Sequence, residues 1–135
     1  MSAKKLDRVY CDNLKDYQDL KKTPLFKKTN NAMMFMMTMA LGFKRKSRVP
    51  LKKGKDGLSR LVDFKDYNIT LIKSLALKET KDVNVLLNDE EIYKIAEEYA
   101  NGGIKIIKNF VIGEDPGSYI KKLCTELLEI SKKIE

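Results

Sequence analysis

At 135 residues the chain has room for one domain with a real core, and 43% hydrophobic with 34% charged residues fits a soluble globular protein. It holds no His, which removes the commonest general base and metal ligand, and it has no apolar run near the ~20 residues that a bilayer span needs. The net charge of +8 is lopsided, with 16 Lys or Arg against 5 Asp or Glu in residues 1–62 and 11 against 14 in residues 63–135, so one face is expected to meet a polyanion and the other is not.

The chain opens with a polar segment over residues 1–12, in which Arg8-Val9-Tyr10-Cys11 reads as a short strand. Leu14, Tyr17 and Leu20 space a short amphipathic helix that stops before Pro24. A strand followed by two helices is also the order of a ribbon-helix-helix DNA-binding module, with Lys21, Lys22, Lys27 and Lys28 at the helix junction.

The next helix is the centre of the sequence. Thr29, Asn30 and Asn31 are candidate N-caps, and Gly42 can take the left-handed conformation that ends a helix. Met33, Met36, Met37, Ala40 and Leu41 lie on one helical face. Met34, Phe35 and Met39 cover most of the other side, so the helix is buried or paired with a partner. Thioethers bind soft metals such as Cu(I), and Met-rich faces make adaptable docking surfaces. Core filling is the commoner use, and no His or nearby Cys supports a metal.

Residues 44–60 carry eight cations, Lys44, Arg45, Lys46, Arg48, Lys52, Lys53, Lys55 and Arg60, opposed only by Asp56. Pro50, Gly54 and Gly57 exclude a continuous helix. Val49 and Leu51 could face Leu58, Leu61 and Val62 across a small basic hairpin. Such a loop suits contact with DNA phosphates, against the simpler reading of a solvated basic loop. The run Gly54 to Ser59 lacks the spacing of a nucleotide-binding phosphate loop.

Asp63 or Asp66 starts a further helix carrying Tyr67, Leu71, Ile72 and Leu75, and Val83 to Leu87 form a short apolar segment. Asn88 with Glu91 matches a capping box. The stripe of Ile92, Ile95, Ala96 and Tyr99 resumes in phase at Ile106, Ile107 and Phe110. That continuity predicts one helix running through Gly102 and Gly103, with a neighbouring backbone close against a glycine. Asp89, Glu90 and Glu91 suit a helix start, and Glu97 and Glu98 are expected on the solvated side. Asp115-Pro116 opens a last helix with Ile120, Leu123, Cys124, Leu127, Ile130 and Ile134 on its apolar face. Cys11 and Cys124 are far apart in sequence, with no Cys-x-x-Cys, and read as buried or free thiols.

Three segments resemble the DNA phosphorothioation-associated protein 4 family of small dnd system-associated proteins. They are Leu41-Gly42-Phe43 followed by Arg48-Val49-Pro50-Leu51, the run from Ile92 to Ile104, and Pro116-Gly117-Ser118-Tyr119. The middle segment, Ile-Tyr-Lys-Ile-Ala-Glu-Glu-Tyr-Ala-Asn-Gly-Gly-Ile, is the most specific. The resemblance implies a prokaryotic cytoplasmic protein. It would accompany the machinery that places sulfur in the DNA backbone, or the restriction and phage-defence machinery that reads the mark. It implies no catalytic residues.

Together these readings predict a compact, mainly α-helical domain over residues 1–135, of about five helices, with a short N-terminal strand or a basic hairpin. They predict a non-enzymatic accessory protein with no cofactor and no metal, acting in the cytoplasm and off the membrane. Its partners would be DNA, at the eight cations, and other proteins of the sulfur-modification or restriction system. A helical adaptor without DNA contact is the alternative, and homo-oligomerisation stays open.

Overall fold

Asn30 begins the central helix. Its backbone is extended and its side-chain oxygen accepts the Met33 amide at 2.8 Å, which satisfies one of the N–H groups that a helix start leaves open. The computed structural model describes residues 7–24, 26–54 and 56–113, together with Thr125, Leu128 and Glu129. Along them run β1 (Arg8–Cys11), α1 (Leu14–Lys21), α2 (Asn31–Lys44), β2 (Asp56–Arg60), α3 (Asp66–Thr80) and α4 (Asp89–Gly113). Short 3-10 turns occupy Leu61–Asp63 and Val83–Leu87. The fold is mainly α-helical, as the sequence predicts. The last helix expected after Asp115 lies outside the described residues, except that Thr125, Leu128 and Glu129 are helical.

The Met-rich helix α2 is core. Met34, Phe35, Met39 and Leu41 are almost completely shielded from water. The buried face is not the one that spacing selects, because Met33 is 41% exposed and Met37 and Ala40 are half-buried. An apolar pattern that runs right round a helix carries no phase. The small residues Thr38 and Gly42 decide the orientation instead, since they let α4 come close. Gly42 therefore does not end the helix. A Cβ on it would stand 1.9 Å from the Tyr99 carbonyl oxygen. The helix closes further on, where the Lys46 amide donates to Phe43 O at 3.2 Å and the Ser47 amide to Gly42 O at 2.8 Å. Lys46 takes a φ of 55° in this closure, a left-handed position where glycine is usual.

Helix α4 is the longest element and runs unbroken through its glycine pair. Asn88 caps it by accepting the Glu91 amide at 3.1 Å. A Cβ on Gly102 would lie 1.8 Å from Ser47 O, and one on Gly103 would lie 1.8 Å from Thr38 O. The in-phase stripe and the close backbone approach are both present. Ile92, Ile95, Ala96 and Ile107 face the core with Ile72, Leu75 and Ala76 of α3. In the turn that joins α3 to α4, Val85 points inward while Val83 and Leu87 are exposed.

The two strands pair antiparallel across a long sequence separation, with Arg8 opposite Arg60, Val9 opposite Ser59, Tyr10 opposite Gly57 and Cys11 opposite Asp56. Leu58 is the extra residue of a bulge in this register, which turns its side chain into the core. The hairpin expected between Val49–Leu51 and Leu58–Val62 is absent, because the segment around Val49 bonds to α4 and β2 pairs with β1. The ribbon-helix-helix reading fails for a related reason. That module pairs its strand with a second copy, but β1 has a partner in its own chain, and the Tyr10 amide donates to Glu97 Oε2 at 2.8 Å. Cys11 is buried, and burial, then Asp56, pushes its thiol up to about 12, which disfavours the thiolate and fits a structural role. Cys124 lies outside the described residues.

Candidate nucleic-acid interface

Between α2 and β2 the chain lies across α4 as a strap. The Val49 amide donates to Glu98 O at 3.0 Å. Asn101 Nδ2 donates to Val49 O at 3.1 Å and to Pro50 O at 3.4 Å. The far end of the strap is anchored by one carboxylate, since Asp12 accepts the successive amides of Lys52, Lys53 and Gly54 at 2.8, 2.8 and 2.9 Å. Gly54, with φ 57°, supplies the turn that aims three N–H groups at one point, a backbone nest for an anion. Burial pushes the Asp12 carboxyl up, but these bonds together pull it below its ordinary value.

A second lock holds the near end. Arg48 Nε donates to Glu98 at 2.6 Å, and Arg48 Nη1 donates to Glu79 at 3.2 Å. The Tyr99 hydroxyl donates to the other Glu79 oxygen at 2.5 Å. Burial works against the charge on Arg48, but the two glutamates outweigh it and raise its pKa. Burial and the neighbouring Glu79 push the Tyr99 hydroxyl up to about 12. Glu97 and Glu98 are thus not on a solvated face, being 6% and 8% exposed. Helical spacing assigns them to the polar side, but the strap and β1 cover that side and engage both carboxylates.

The eight expected phosphate-contacting cations divide accordingly. Arg48 serves the internal lock, and Lys44 pairs with Glu129. Arg45, Lys46, Lys52 and Lys53 are exposed. The backbone amides of Lys52 and Lys53 are fixed on Asp12, so this part of the strap is rigid while the two side chains stand in solvent. Arg60 lies at the other end of the ribbon from the strap, on β2 opposite Arg8. There it pairs loosely with Asp63 at 3.4 Å. Lys55 lies outside the described residues. Sequence reading missed Arg8 as a companion of Arg60, because only the long-range strand pairing joins them.

The model of the DNA sulphur modification system-associated protein 4 family matches residues 11–134. The chain belongs to this family. No curated protein and no solved structure matches it. The family description associates the protein with a DNA sulphur modification system, and the matched region contains both the strap and the locks that hold it to α4. Among the described residues no helix is long and apolar enough to cross a membrane.

Proposed function

We propose that this family member is a non-enzymatic accessory protein of a prokaryotic DNA phosphorothioation or restriction system, and that it binds DNA through the strap. The observation that carries the reading is the arrangement of Lys46, Lys52 and Lys53. All three are exposed, and they sit on a segment whose backbone is tied down by Asp12, Glu98 and Asn101. Cations on a rigid support lose little conformational freedom when they meet phosphates, and each phosphate they neutralise releases counterions. The protein acts in the cytoplasm in this reading, beside the enzymes that write or read the sulfur mark. Replacing the three lysines by alanine and measuring duplex affinity over a range of salt tests it.

A second reading, an adaptor that docks another protein of the system, draws on exposed Val83 and Leu87 between α3 and α4. Apolar docking would show little salt dependence, whereas phosphate contact weakens steeply as salt rises.

A further inference from the structure

At the end of the β1–β2 ribbon away from the strap lies a cleft of about 570 Å³. That volume is in the range of small-ligand sites, ~300–1,000 Å³. Arg8 of β1, Lys21 at the end of α1 and Arg60 of β2 line it, together with Asn30, Asn31 and Ser59. Three cations thus reach one cleft from three separate elements. About 10 Å of β1, three residue steps at ~3.4 Å, separates Arg8 from Cys11 at the end anchored beside Asp12.

The cleft is preorganised. Lys21 Nζ donates to Asn31 Oδ1 at 3.1 Å, and Asn31 Nδ2 donates to Leu58 O at 2.9 Å. The bulge at Leu58 sets that carbonyl, so one amide side chain fixes the ammonium relative to both the helix and the ribbon. The guanidinium groups are more loosely held. Arg8 pairs with the adjacent Asp7, and Arg60 pairs with Asp63 at 3.4 Å, with side chains 38% and 67% exposed. Surface pairs of this kind contribute little and exchange readily for a better anion. Asp63 is the one carboxylate among the described lining residues, and with Asp7 beside Arg8 the three cations still outnumber the carboxylates that engage them. Asn31 and Ala32, at the first turn of α2, also line the cleft, and their amides have no acceptor within the helix.

We propose that this cleft binds a phosphate group, held by Arg8, Lys21 and Arg60 against the start of α2. Guanidinium forks match the tetrahedral oxygens of phosphate better than they match a neutral ligand. A DNA backbone phosphate and a free phosphate monoester offer the same recognition chemistry. The site shares no residue with Lys46, Lys52 and Lys53, so it stands or falls separately from the strap.

The test is an amide-shift titration of the full chain with sodium phosphate and, separately, with a short DNA duplex. The expected result is a saturable shift at Asn31, Ala32 and Ser59 with at least one probe, weakened tenfold or more in Lys21→Gln/Arg60→Gln. Equal saturation by sodium phosphate identifies a free phosphate group as a sufficient ligand, and saturation by the duplex alone identifies the backbone phosphate. The Lys46/Lys52/Lys53 alanine variant should retain the same cleft shifts. Should removal of the Lys21 bracket disturb folding, Arg8→Gln/Arg60→Gln replaces it, since both groups are partly solvated. Absence of saturable shifts with either probe, or shifts undiminished in a folded variant, would overturn the proposal.

Discussion

Gly103 of α4 passes so close to Thr38 of α2 that a Cβ on the glycine would lie 1.8 Å from the threonine carbonyl oxygen. Gly42 makes the reciprocal approach to Tyr99 O. The two helices therefore touch backbone to backbone, and the side chains of Met34, Phe35 and Met39 fill the core around that crossing. Thr38 is itself fully buried. Its hydroxyl donates back to Met34 O at 3.0 Å and lies 3.3 Å from the buried Tyr17 hydroxyl, so α1 is keyed to the same point.

Gly103→Ala should accordingly destabilise the protein. An alanine inside an exposed helix would gain about 1 kcal/mol in propensity, but overpacking a tight core costs ~1–3 kcal/mol, and a collision between two helix backbones belongs at the upper end or beyond. Gly102→Ala brings a Cβ equally close, 1.8 Å, to the Ser47 carbonyl on a strap that is itself hydrogen-bonded to α2 and α4, so it should destabilise as well. Thermal melts check both variants. A Gly103→Ala melting temperature at or above that of the parent would refute the close-packing account.

The glycine pair shows what the sequence makes legible. Its apolar stripe keeps phase from Tyr99 to Ile106, and that local pattern is enough to predict an unbroken helix with a near neighbour. The N-caps at Asn30 and Asn88 are local signals as well. The buried face of α2 is not legible, because methionines occupy both sides and only the partner helix chooses between them. Pairing of β1 with β2 is hidden by the stretch of chain between them, and a local hairpin is the natural but mistaken alternative. The charges are the hardest part. Lys44 and Arg48 look like members of one basic cluster, and nothing near them in sequence announces Glu129, Glu79 or Glu98 as their partners.

The chosen face of α2 gives a direct contrast. Met34→Asp places a carboxylate where the side chain is fully buried, at a cost of several kcal/mol, enough to unfold a marginal domain. Met33→Asp alters a residue that is substantially exposed and should retain a cooperative melt near the parent temperature. Circular dichroism melts of the two variants decide the matter. Equal tolerance of both would mean that α2 is not the core element.

Asp12 should make the strap sensitive to acid. Its carboxyl titrates below the ordinary value in the folded protein. The resulting stabilisation is fully present above the unfolded value of about 3.9 and is lost as pH falls from there through the lower folded value. Asp12→Asn keeps one acceptor oxygen but loses the charge, and hydrogen bonds to charged groups contribute about 1.5–3 kcal/mol. The variant should be less stable at neutral pH, and the gap from the parent should narrow below about pH 4. A gap that stays constant from pH 7 down to pH 3 would show that the nest is not held by the carboxylate charge.

Lys46 separates the fold from the proposed DNA contact. It occupies a left-handed position, φ 55°, that costs a non-glycine residue roughly 1–2 kcal/mol. Lys46→Gly should relieve that cost and raise the melting temperature while removing one exposed cation. If Lys46 meets a phosphate, the same variant should bind duplex DNA less tightly, with a log-affinity against log-salt slope shallower by about 0.9. Adding Lys52→Ala and Lys53→Ala should flatten the slope by about 2.7 in all, for three lost contacts. Lys44→Ala should leave the slope nearly unchanged, because its charge already faces Glu129. A gain in stability with no change in salt slope would support the helix-closure account and remove Lys46 from the DNA surface. An unchanged slope in the triple variant would remove the strap from it altogether.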